Sequence, residues 1–143
     1  MKTFIPFCLE PKERIWYLID AKNKTLGRLS TEVSYLLQGK NKINFDSSID
    51  TGNFVIIINA NKIIISGNKE IQKLYYRHSG RPGGMKIETF KILKNRKVET
   101  ILEKSIKKML PKNTLSNIFF KRLKIFKNSE MDSKIKNIKI FKI

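Results

Sequence analysis

One cysteine and one histidine, Cys8 and His78, are all the thiol and imidazole chemistry in this chain. No intramolecular disulfide can form, and no Cys-rich zinc site can be assembled. A reducing compartment fits that usage. A Cys-His nucleophile pair would have to join a residue near the start to one in a basic loop, and nothing in the spacing prepares that. Asp20, Asp46 and Asp50 are the candidates for a two-carboxylate mechanism, but no pattern pairs them, and they read as loop and capping residues. The glycine signatures of phosphate-binding loops are missing as well. Gly27 stands alone where a dinucleotide fold would carry three glycines. Gly80, Gly83 and Gly84 lead into Met85-Lys86 with the wrong spacing for a nucleotide triphosphate loop. No apolar run approaches the roughly 20 residues of a membrane-spanning helix. Residues 1–11 lack the continuous apolar stretch of a signal peptide, and Glu10 and Glu13 argue against a transit peptide. No catalysis, cofactor or metal is expected.

Acidic residues are the other shortage. Asp and Glu total 12 against 30 Lys and Arg, a formal net charge of +18 on 143 residues. Lys, Ile and Asn are abundant, as in products of A+T-rich genomes, but swapping Arg for Lys leaves charge unchanged and cannot explain the missing acids. Hydrophobic residues make up 41% of the chain, in regular runs that a disordered basic tail would not have. A folded domain with so positive a surface repels itself unless a polyanion neutralises it. Nucleic acid is the first candidate, since phosphate contacts then dominate affinity, and a membrane surface is the weaker one.

The length suits one domain with one core. Ile15–Ile19 is a continuous apolar run and reads as a strand buried on both faces. Thr25 is placed to cap a helix carrying Leu26, Leu29, Val33, Leu36 and Leu37 at helical spacing, which ends at Gly39. Phe54–Ile58 is a second strand and Ile63–Ile65 a short third run. Leu74–Tyr76 continues as a strand. The glycine-rich segment Arg77–Gly84 reads as irregular loop, and Glu88–Leu93 as a short helix. Asn95 is expected to cap a helix with Val98, Ile101, Leu102, Ser105, Ile106 and Met109 on one face, closed by Pro111. Thr114 starts another, followed by a last strand at Lys124–Phe126. Strand, helix, strand in that order implies an α/β domain with parallel pairing. The division is a domain over 1–127 and a basic tail over 128–143 that orders only against a partner.

Two segments concentrate charge with a frame around it. In Tyr75–Lys86, glycines let backbone approach phosphate, Arg77, Arg81 and Lys86 supply charge, and Tyr75, Tyr76 and His78 offer rings for stacking on bases. The plainer reading makes the tyrosines core residues. In the second segment, Lys107 and Lys108 sit at a helix end and Lys112 just beyond it. Macrodipole matching accounts for part of this, but Lys121, Arg122 and Lys124 continue the strip beyond what a dipole needs. Lys40 and Lys42 in the exit loop of the first helix, and Lys69 after Gly67-Asn68, complete the candidate RNA-binding set.

Trp16-Tyr17 with Asp20-Ala21, Lys24–Leu29, Asp50-Thr51-Gly52, Asn59-Ala60, Gly67-Asn68-Lys69, Tyr75–Gly84, Met109–Lys112 and Leu115…Phe119…Leu123–Phe126 occur in an order that resembles the bacterial-type large-subunit ribosomal protein thirteen family. The resemblance spans residues 1–127. It implies a single three-layer α/β/α domain with a mostly parallel four-stranded sheet. It also implies binding to large-subunit ribosomal RNA early in subunit assembly, with neighbouring large-subunit proteins as partners and no membrane, catalysis or homo-oligomer. The ribosome would be that of a bacterium or an organelle. Against the family pattern, Asn53 replaces an Asp, Arg77 and Arg81 stand where His is usual, and Asn113 and Asn117 where Gly is usual. The arginines add permanent charge. A free-standing RNA-binding translational regulator using the same surface is the alternative.

Overall fold

The computed structural model describes residues 14–130 and 138–141. Strand β1 (Trp16–Asp20) leads through a polar turn into helix α1 (Leu26–Gln38), which returns the chain to β2 (Phe54–Ile58). β1 and β2 pair in parallel, Trp16 opposite Phe54 and Asp20 opposite Ile58. Parallel neighbours need a long crossover, and α1 supplies it. Its stripe of Leu26, Leu29, Val33, Leu36 and Leu37 is buried. It closes at Gly39 in the left-handed conformation, φ 81°.

Helix α2 (Lys69–Gln72) precedes β3 (Leu74–His78) and β4 (Met85–Thr89), which form a separate antiparallel hairpin. Helices α3 (Phe90–Arg96), α4 (Val98–Met109) and α5 (Thr114–Lys121) follow, then β5 (Leu123–Ile125) and β6 (Ile138–Ile140). The main sheet has the order β5-β2-β1-β6, with every pairing parallel. It is the parallel four-stranded sheet of an α/β fold, as the sequence leads one to expect.

Alternation along the strands divides the sheet's two faces. Ile19, Val55 and Ile57 join the helix-side core of Leu29, Val33, Phe90, Leu93, Ile101 and Ile106, with Tyr17, Leu123 and Ile125 packed against it. Ile56 points the other way and is also fully buried. Trp16 stacks on Phe54 at 4.2 Å and 13°. α1 and α4 approach closely where the Ser30 and Ser105 hydroxyls meet at 2.8 Å.

Several local expectations are corrected. Arg77 and His78 belong to β3, and Lys86 and Glu88 to β4, where irregular loop and helix were expected. The hairpin ladder, Arg77 opposite Lys86 and Tyr76 opposite Ile87, supplies hydrogen bonds that no local pattern announces. α3 therefore begins at Phe90, capped by the Thr89 hydroxyl, and runs through Asn95. α4 starts from Lys97 instead. Ile63–Ile65 makes only an isolated bridge, Ile64 to Thr25. The α5 cap is Asn113, whose side chain accepts the Ser116 N–H at 3.0 Å. Its φ of −130° explains how Asn stands in a glycine position. Ile138–Ile140, inside the segment set apart as a tail, is the edge strand beside β1 and so belongs to the sheet. Residues 1–13, 131–137 and 142–143, with Cys8 and most of that tail, lie outside the described residues. Nothing in the structure explains Asn53, whose buried side-chain amide lacks a hydrogen-bond partner among the described residues.

Candidate nucleic-acid interface

The hairpin is the most sharply built part of the basic surface. Its tip, residues 79–84, is closed by the Ser79 N–H donating to the Gly84 carbonyl (3.3 Å) and the Gly84 N–H donating to the Arg81 carbonyl (3.0 Å). Gly80 and Gly83 take φ of 86° and 70°, a region side chains disfavour. The Gly80 N–H donates to His78 Nδ1 at 2.9 Å, which orients an exposed imidazole. Arg81 is exposed at the tip, and Arg77 and Lys86 are exposed directly across the ladder from each other. Like charges facing across a strand pair are destabilising. The pair costs the free hairpin stability and becomes favourable once an anion lies beside it.

The two adjacent tyrosines take opposite parts. Tyr75 is half-buried with its ring 6.4 Å from Phe90, and burial pushes its phenol pKa up. Tyr76 is exposed on the other hairpin face. The plain reading holds for Tyr75, while Tyr76 is free of the core.

Lys107, Lys108 and Lys112 are exposed and line one groove with Lys104 at the end of α4. Lys107 Nζ lies 5.8 Å from the Phe120 ring. Lys121 is exposed at the end of α5. Arg122 is not part of that strip, which corrects its sequence assignment. It is 6% exposed, with its guanidinium bonded to Asp50 and to the carbonyls of Gly52 and Leu37. Desolvating a guanidinium requires such partners, and they leave it turned inward.

Lys42 is also engaged with the chain. Its ammonium donates to the Thr51 carbonyl at 2.7 Å. Burial, then the Arg14 charge, lowers its pKa, while Asp50 opposes the shift. Lys40 is exposed near the Phe45 ring, Lys69 is exposed beside Ser66, and Lys124 extends over Trp16 at 5.6 Å. The predicted cations thus include a hairpin group of Arg77, Arg81 and Lys86 and a helix-end group of Lys107, Lys108 and Lys112, with Lys40, Lys42, Lys69, Lys121 and Lys124 outside both and Arg122 buried.

Sequence reasoning passed over Lys73 and kept Lys104 outside the candidate set. Their ammonium groups flank Tyr75, at 5.6 and 5.3 Å from its ring. The usable signal was the four-residue spacing of Lys69 to Lys73 and of Lys104 to Lys108, one helical turn in each case.

Among the described residues, no group of three or more His, Cys, Asp or Glu side chains is placed to hold a metal ion, and no helix is long and apolar enough to cross a membrane.

A family model described as Ribosomal protein L13 matches residues 14–132. The large ribosomal subunit protein uL13 of Synechococcus sp. (strain WH7803) is 56% identical over 129 residues, covering 90% of this chain and 85% of that protein. A counterpart from Prochlorococcus marinus is 53% identical over 142 residues, 99% of this chain and 94% of the relative.

Proposed function

Since the chain belongs to the ribosomal protein L13 family, we propose that it is a structural constituent of the large ribosomal subunit that binds large-subunit ribosomal RNA and supports subunit assembly. The family is structural and not enzymatic. The cyanobacterial relatives make the ribosome a bacterial-type one, in a bacterial cytoplasm or a plastid.

The observation that carries RNA binding is the Arg77–Lys86 pair, facing across a hairpin whose tip presents Arg81. That arrangement is a poor choice for a free protein and a good one against phosphate. Tyr76 and His78 add exposed rings to the same element. Lys69, Lys107, Lys108, Lys112 and Lys121 extend the positive surface, with Lys40 and Lys124 as outlying contacts. Neighbouring large-subunit proteins cover what RNA leaves open. One α/β domain provides this surface, and Ile138–Ile140 adds an edge strand to its sheet.

A salt titration of binding to large-subunit RNA tests the reading. Log affinity is expected to fall linearly with log salt, by about 0.7–0.9 per phosphate contact. A flat titration rejects it. Sedimentation separates the regulator alternative, because a regulator stays in the soluble fraction while a subunit protein travels with large subunits.

A further inference from the structure

Arg28 and Lys69 share with Lys73 a cleft of about 530 Å³ between the first turn of α1, α2 and the end of α4. A recess of about 180 Å³ continues it past Lys73 to Lys104 and Lys108. Among the described residues, no Asp or Glu lines either space. Of the two acids adjacent in sequence to lining lysines, Glu70 is turned to Lys94 at 3.9 Å, and Glu103 lines neither space. Lys73 and Lys104 both converge on the Tyr75 ring, an attraction worth about 0.5–1 kcal/mol each at exposed sites. That is too little to offset the desolvation of partly buried ammonium groups. Lys73 has its pKa lowered by burial first and then by the charges of Lys108 and Lys69. Leu26, Ile65 and Met109 add apolar lining to the same cleft.

A cleft with both cationic and apolar lining and no acid among its described lining residues fits a ligand that itself combines an anion with a flat apolar group. We infer that it holds one unpaired nucleotide of an RNA strand, with the phosphate against Lys73 and Lys104 and the base against Ile65 and Met109. This rests on the ribosomal reading but is separable from it, because the cleft is distinct from the hairpin tip.

Lysine acetylation of the full chain, read residue by residue by mass spectrometry, tests the inference. Lys91, exposed on α3, serves as the reference. Protein-free large-subunit RNA is expected to protect Lys73 and Lys104 several-fold relative to Lys91. Four results overturn the inference. RNA that is retained without protecting them leaves the hairpin reading standing and removes the cleft. RNA that is not retained removes both. Protection by adenosine diphosphate and not by RNA assigns the cleft to a free nucleotide. Protection that appears only in assembled subunits assigns it to a protein neighbour. Independently, the double variant K73Q/K104Q is expected to melt like the parent while its salt slope shrinks by about 0.7–0.9 per lysine lost. An unchanged slope in a folded double variant overturns the inference as well.

Discussion

Arg122 Nη2 lies 2.6 Å from Asp50 Oδ1, while Arg14 Nη1 lies 3.0 Å from Oδ2 of the same carboxylate. Arg122 also donates to the carbonyls of Gly52 at 3.0 Å and Leu37 at 3.4 Å. One guanidinium therefore ties the entry to β5 to the loop before β2 and to the end of α1. Phe119 covers it at 5.2 Å.

Arg122→Met is expected to destabilise the fold by about 3–5 kcal/mol, the usual result of removing one partner of a buried ion pair. Lys121→Ala, one residue earlier and exposed, should change stability by less than about 0.5 kcal/mol and weaken RNA binding instead. Urea unfolding and filter binding on both variants check this. Equal stability of the two would show that Arg122 is not a structural residue.

Gly52 admits no side chain. A Cβ there would lie 1.8 Å from the Leu37 carbonyl oxygen, which is rigid helix backbone. Gly52→Ala is expected to cost about 3 kcal/mol or more by forcing the loop away from α1. A shift of the urea midpoint reads it, and a midpoint like the parent's would mean that the loop yields freely.

Tyr75→Ala and Tyr76→Ala should separate core from surface. The first removes a ring packed near Phe90 and is expected to lower the melting temperature. The second is expected to melt normally and to lose RNA affinity equivalent to about 1–3 kcal/mol of stacking. Arg81→Glu and Lys86→Glu should behave like Tyr76→Ala. A melting temperature that collapses in either charge variant would contradict an exposed hairpin.

Asp20 gives the fold a small acid-sensitive component. Its carboxylate accepts the Lys22 N–H and the Asn59 side-chain N–H, both at 2.9 Å, and these bonds, the backbone one foremost, hold its pKa below 3.8. The folded-state value lies below the unfolded one. The stabilisation is thus complete above 3.8 and is lost as pH falls through the lower folded value. Asp20→Asn should melt slightly below the parent near neutral pH, with the gap closing in acid. A gap that persists unchanged in acid would show that the charge contributes nothing.

The sequence by itself determined the β1–α1–β2 frame, because each of those elements is specified by a local pattern. Ile15–Ile19 and Phe54–Ile58 are unbroken apolar runs, and Leu26 to Leu37 recur every three or four residues before Gly39. The ordered motifs also identified the family, and exposed Arg81, Lys107 and Lys108 followed from charge beside glycines and at a helix end.

Tertiary structure alone decided three things. The hairpin exists because residues of two short segments complete each other's backbone hydrogen bonds, which neither segment signals by periodicity. Ile138–Ile140 joins the sheet because β1 leaves an edge open to it, far away in sequence. Lys121 and Arg122 are neighbouring cations that look alike in sequence, yet one faces water and the other is buried. What separates them is a carboxylate 72 residues away, and only folding brings a buried guanidinium within bonding distance of the partner that makes its desolvation tolerable.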